Sequence, residues 1–260
     1  MLDMLPRLSP HLRPGAMTYA VAFFLESGLV FAADSRTNAG VDDISTHRKL
    51  TVFEKPGERL MTLLASGNLA VTQAIVEQLR QGNRKKKGVV NLMNAPDMFA
   101  AAQVVGQAVR DVHHRDGAAL REHNEEFRVG LIFGGQIKGG PMRLFSIYSA
   151  GNFIEASLDR PYFQIGENKY GKPIIDRTIS HRSTMKEAVK CSLLSFDSTL
   201  RSNISVGLPI DLLCYRKNSY KHGLITQIDE TNPYFKSAQA YWRDALHIAF
   251  EEMPDPDWKI

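Results

Sequence analysis

The chain has 260 residues, 43% hydrophobic and 23% charged, which excludes disorder over most of its length and allows a core that needs no disulfide or metal to hold it. Its two cysteines, Cys191 and Cys214, exclude a disulfide scaffold and a four-cysteine zinc site, and read as buried and reduced. With 32 Lys and Arg against 28 Asp and Glu, the net charge of +4 is too small to argue for a nucleic-acid partner, and no apolar run approaches the roughly 18–20 residues of a membrane span.

Residues 1–16 carry Pro6, Pro10 and Pro14 among Arg7, His11 and Arg13. They lack the continuous apolar centre of a secretory signal. The expectation is that 1–17 is an extension or misassigned start absent from the mature form, and that 18–260 is one domain. Thr18 to Leu25 and Leu29 to Ala33, around Ser27-Gly28, predict a buried hairpin. Arg48 to Phe53 and Leu60 to Ala65 predict a second pair. Val71, Ile75 and Leu79 then recur every four residues, the spacing of a helix ending near Gly82. Arg84 to Lys87 reads as a solvated basic loop. A second helix is predicted from Pro96 to Arg115, with His113 and His114 at its solvated end. Adjacent residues do not share a helix face, so this pair is not read as a metal site.

Strands return at Phe127 to Phe133, Met142 to Tyr148 and Tyr162 to Ile165. A helix over Tyr170 to Ile179 precedes a longer one opening at Thr184, where Glu187 completes a capping box. Strands at Ile210 to Tyr215 and Leu224 to Ile228 lead to a last helix capped by Asn232-Pro233. Phe235, Ala238, Trp242, Ala245 and Ala249 form its inner face. The order does not alternate strand with helix, which argues against a parallel sheet. Two packed sheets with helices outside fit better.

The chemistry centres on Met17-Thr18. Initiator methionine is removed before a small residue, and threonine qualifies. A chain beginning at Thr18 carries a hydroxyl and a free amine on one residue, and the amine can take the hydroxyl proton as the oxygen attacks a carbonyl. A model α-amine has a pKa of about 7.7–8.0, and a fixed positive charge nearby lowers it. The predicted hairpin brings Asp34 beside the start of the first strand. Lys49 or its neighbour Arg48 begins the next pair, and only one of two adjacent strand residues faces Thr18.

Three segments then carry a resemblance: Phe31 to Asp42, Gln164 to Pro173, and Arg201 to Asp211. With Thr18 and Arg48-Lys49-Leu50, they resemble the proteasome β-subunit type of N-terminal-nucleophile hydrolase, in particular its bacterial ancestral beta-subunit (Anbu) branch, over nearly all of 18–250. The resemblance implies an α+β fold, a four-layer αββα sandwich. It implies Thr18 as nucleophile, Asp34 orienting the lysine and Lys49, rather than Arg48, as that lysine. It also implies Gly67 as an oxyanion donor, of a kind that contributes ~3–4 kcal/mol to the transition state. Thr37, Ala65 and Leu69 fall where the family lines its specificity pocket, and Asn38 where it holds substrate as an added strand. Proteasome subunits place a serine where Glu167 or Asn168 stands here, an aspartate near Ser202 and a serine near Ser205. Asn168, Ser202 and Ser205 are therefore the expected supporting residues.

The expected function is a threonine endopeptidase acting on peptide or unfolded protein, in a cytoplasmic homo-oligomer arranged as a ring or helical stack. No metal, cofactor, nucleic acid or membrane is called for. No Walker-type loop is present, so the chain is not expected to hydrolyse ATP, and a regulating ATPase leaves no mark in the sequence. Two rivals are an amidase of the same fold acting on a small amide, and a ring-forming scaffold whose site has decayed.

Overall fold

The computed structural model describes residues 18–38, 44–82 and 88–258. The expectations for 1–17, for Ala39 to Asp43 of the motif and for Arg84 to Lys87 lie outside these residues. In chain order, β1 (Tyr19–Leu25) and β2 (Gly28–Asp34) are followed by the short β3 (Arg36–Asn38) and β4 (Ile44–Thr46), then β5 (Leu50–Lys55) and β6 (Arg59–Gly67). Helices α1 (Leu69–Gln81) and α2 (Met98–Glu122) precede β7 (Val129–Ile137), β8 (Arg143–Ile147), β9 (Phe153–Glu155) and β10 (Tyr162–Gly166). Next come α3 (Lys172–Thr178), α4 (Met185–Ser202), β11 (Ile210–Arg216), β12 (Leu224–Ile228) and α5 (Pro233–Glu251).

The strands form two antiparallel five-stranded sheets, ordered β10-β1-β2-β11-β12 and β5-β6-β7-β8-β9, with β3 and β4 as a separate ribbon. Alternation along β1 explains its unbroken apolar run. Tyr19, Val21, Phe23 and Leu25 face α4, where they pack with Leu193 and Phe196. Ala20 and Ala22 face the other sheet, with Phe31, Leu60, Leu64 and Ile132. A strand buried on both faces has no polar side to show. A third core joins Met61, Leu63 and Phe133 to Ile75 and Val105, between the second sheet and helices α1 and α2. The fold is therefore an α+β, four-layer αββα sandwich.

The caps read from the sequence at Thr184 and Asn232 are formed, and the structure adds one at Asn68. Asn68 Oδ1 accepts from the amides of Ala70 and Val71, Thr184 and Glu187 make a reciprocal capping box, and Asn232 accepts from Phe235 N–H. Cys191 and Cys214 are buried free thiols, and burial pushes each up to about 11. Three expectations change. Helix α2 continues past Arg115 to Glu122, so His113 and His114 are exposed inside the helix rather than at its end. Strands β3, β4 and β9 span three residues each, too short for a period to register. On α5, Phe235 is buried and Ala238, Trp242 and Ala245 half-buried, but Ala249 is exposed because the last turns leave the core.

Candidate active site

Thr18 stands just ahead of β1 and is buried. Its carbonyl accepts from Glu167 N–H at 2.7 Å, and the next residue, Tyr19, pairs with Gly166 on β10. Gly166 has φ +81°, and a Cβ there would lie 1.7 Å from Thr18 O. Only glycine lets the end of β10 come this close.

Asp34 ends β2, and the hairpin register returns it to the start of β1. Tyr19 N–H donates to Asp34 Oδ1 at 3.1 Å. Lys49 lies one residue before β5, fixed there by Ala65 N–H donating to its carbonyl at 3.0 Å. Its Nζ donates to Asp34 Oδ1 at 2.8 Å and to the Arg36 carbonyl. The Lys49 side chain is 9% exposed and that of Arg48 68%, so Lys49 is the inward member of the pair. Burial pushes the Asp34 carboxyl up to about 6, opposed by the Lys49 charge. The same burial lowers the Lys49 ammonium, opposed by Asp34 and, more weakly, by Asp211. Asp34 Oδ2 is buried with no hydrogen-bond partner among the described residues.

Asp211 is a participant that sequence reasoning did not single out, although it closes the third matching segment. It is buried on β11, which pairs with β2. Ser35 Oγ donates to Asp211 Oδ2 at 3.0 Å, Gln227 Nε2 donates to Oδ1 at 3.2 Å, and Arg48 Nε stands 3.7 Å from Oδ1. Ser35 N–H donates to Pro209 O, and Ser35 O accepts from His47 N–H. This network fixes the residue next to Asp34 and the segment leading into Lys49.

Gly67, Ala65 and Leu69 line a cleft of about 750 Å³ together with Thr18 and Lys49. Gly67 ends β6 at φ +111°, where a Cβ would meet Arg128 O at 2.1 Å. Thr37 and Asn38 lie on β3 by their backbone; their side chains are outside the described part of the structure. The expected supporting residues are not brought together. Asn168 and Ser202 are exposed, and among the described residues Ser205 donates its backbone N–H to Asn203 Oδ1. Glu167 is the buried one. Its Oε2 accepts from Asn203 Nδ2 at 3.0 Å, and Lys169 N–H donates to Oε1. The physical reason is register. The bond from Glu167 N–H to Thr18 O turns Glu167 inward and leaves Asn168 in solvent.

A (Gly-1) mutant of Anbu from Hyphomicrobium sp. strain MC1 superposes on this fold with a TM-score of 0.87 and 50% identity, over 93% of this chain and 100% of that one. The chain belongs to the Anbu, or ancestral beta-subunit, family. Anbu from Yersinia bercovieri is 48% identical, with a TM-score of 0.86 over 93% of this chain and 100% of its own. Anbu from Pseudomonas aeruginosa, solved as a helical assembly, is 44% identical, with a TM-score of 0.85 over 92% of this chain and 98% of its own. No protein-family model and no curated protein matches the chain. No helix among the described residues is long and apolar enough to cross a membrane.

Proposed function

We propose that this Anbu protein is a threonine peptidase of proteasome type whose mature chain begins at Thr18. The observation that carries the reading is the buried Lys49–Asp34 pair at the start of β1, beside a cleft lined by Thr18 and Gly67. A buried ion pair adds little stability over an apolar pair of similar volume, which favours a functional reading of this one.

The chemistry is as follows. The Thr18 α-amine takes the Thr18 hydroxyl proton as Oγ attacks the scissile carbonyl. The Lys49 ammonium keeps the amine basic-form population high by disfavouring a second nearby cation. Negative charge on the tetrahedral oxygen is met by the Gly67 N–H. The amine then returns its proton to the leaving nitrogen, leaving an ester on Thr18. Water, deprotonated by the same amine, cleaves the ester and frees the second product. Asp34 and Asp211 do not touch substrate in this scheme; they hold Lys49 and its loop.

The reading includes a homo-oligomer. Helix α5 supports it with an exposed apolar stripe at seven-residue spacing, Tyr234, Tyr241 and Ile248, of which Tyr241 is 77% exposed. Exposed apolar surface of this kind suits an interaction surface. The helical assembly of the Pseudomonas aeruginosa relative supports the same view. The test is peptide hydrolysis by Thr18→Ala and Thr18→Ser. The alanine form is expected to lose about 10³-fold or more in kcat/KM, and the serine form to keep measurable activity. An alanine form as active as the parent overturns the assignment.

A further inference from the structure

The wall of the cleft is unevenly charged. Among the described residues three arginines line it, Arg36, Arg48 and Arg80, against one glutamate, Glu77. Lys49 adds nothing to this surplus because Asp34 matches it. Glu77 does not neutralise Arg80 by contact, since its carboxylate accepts from Gln81 Nε2 at 2.7 Å. Arg80 is exposed and has no ion-pair partner among the described residues. Arg48 turns only its Nε toward Asp211, at 3.7 Å, with most of its side chain in solvent. Arg36 reaches one backbone carbonyl, that of Ile204, at 3.4 Å. His47 lies in the same wall.

The charges are also carried by different elements, Arg48 just ahead of β5 and Arg80 near the end of α1. Arg48 adjoins the Lys49 end, next to Thr18. Arg80 lies eleven residues along α1 from Leu69, about 16 Å at the rise of an α-helix. That distance equals about five residues of extended peptide. Between the two ends the lining mixes apolar Ala65, Leu69 and Val76 with polar Ser66, Thr72 and Gln73. We infer that the cleft selects peptides with an apolar residue at the floor and carboxylate side chains on both sides of it, held by Arg48 and Arg80. The inference rests on the peptidase reading for its consequence, a preference in cleavage, but the charge recognition itself is a binding property.

The guanidinium groups suit this task because each offers a planar fork of donors to a carboxylate. Their exposure makes the interaction sensitive to salt. Screening acts over about 10 Å at 0.1 M salt and about 3 Å at 1 M, so the preference is expected to fade between these limits.

Binding to full-length Thr18→Ala protein separates recognition from catalysis. Calorimetry with synthetic decapeptides that share a central leucine and carry flanking Glu, Gln or Lys reads the preference directly. The Glu peptide is expected to bind about fivefold tighter than the Gln peptide and more than tenfold tighter than the Lys peptide, with the gap closing in high salt. Arg48→Gln and Arg80→Gln are each expected to reduce the Glu-over-Gln ratio by about half, and the double variant to erase it. Because both side chains are exposed, circular dichroism and melting of these variants should match the parent. Equal binding of the three peptides, tighter binding of the Lys peptide, absence of binding by all three, or a ratio unchanged in the double variant overturns the inference. Thr18-dependent cleavage without charge preference would sink this inference and leave the peptidase reading intact. Charge-selective binding by a protein that cleaves no peptide would do the reverse.

Discussion

Asp34→Asn isolates the contribution of the buried ion pair. Asn retains an oxygen for the Tyr19 N–H bond but removes the charge that faces Lys49. At 2.8 Å and an effective dielectric of about 20, the lost attraction is about 6 kcal/mol. Lys49 then stays inside the protein with only the Arg36 carbonyl as a named partner. Its remedy is to shed its proton, and because burial outweighs the Lys49 attraction at Asp34, removal of the buried carboxylate charge offsets part of the about 3–5 kcal/mol that loss of one partner of a buried pair typically costs. The Asp34→Asn, Lys49→Met double variant replaces the pair with neutral groups of similar shape and should recover most of that loss. Neither variant should hydrolyse peptide at a useful rate, since both lack a paired cation beside Thr18. Guanidinium unfolding at one fixed protein concentration reads stability, and a peptide-library assay reads activity. A single variant as stable as the parent, or a double variant less stable than the single, refutes the treatment of this pair as buried, coupled and functional.

The raised Asp34 carboxyl gives a pH signature. Its folded-state value of about 6 exceeds the ordinary 3.8, so across that interval the folded chain holds a proton that the unfolded chain has released. The stability this group contributes is full below 3.8 and falls as pH rises through about 6. Unfolding midpoints measured across the interval should show that decline in the parent and not in Asp34→Asn. Peptidase rate should rise over the same range as Asp34 ionises. Asp211→Asn removes a charge that favours the Lys49 ammonium, and is expected to move the alkaline limb of the pH–rate profile to lower pH with KM unchanged. Gly67→Ala forces a Cβ to within 2.1 Å of Arg128 O at φ +111°, a strain of about 1–3 kcal/mol before the clash is counted. Its melting temperature should fall by roughly 2–4 °C for each kcal/mol, with a loss in kcat larger than the loss in KM.

Local features of the chain were readable where a single element decides them. The β1–β2 hairpin follows from two apolar runs around one glycine turn, and that alone carries Asp34 back to Thr18. The caps at Thr184 and Asn232 follow from residue type and position. Features decided by a second element were not readable. Alternation could not choose between Arg48 and Lys49, because Lys49 precedes the strand and is oriented by bonds from Ala65, Asp34 and Arg36. Glu167 and Asn168 are separated only by the register of β10 on β1. Asp211 reaches Ser35 because the sheet order sets β11 beside β2, a neighbour far away in sequence. The short strands β3 and β4, which carry Arg36, have too few residues for a pattern, and the weak apolar stripe beyond Arg115 concealed the rest of α2.

The claim on which the mechanism depends is that Thr18 has a free amine and a reactive hydroxyl together. A peptide epoxyketone tests both at once, since its ketone takes the hydroxyl oxygen and its epoxide then takes the amine to close a six-membered ring. Intact-mass measurement and peptide mapping of the protein isolated from cells and treated with this reagent should show a chain beginning at Thr18 and one ring adduct on that residue. A chain that retains Met17, or an adduct elsewhere or nowhere, contradicts the account.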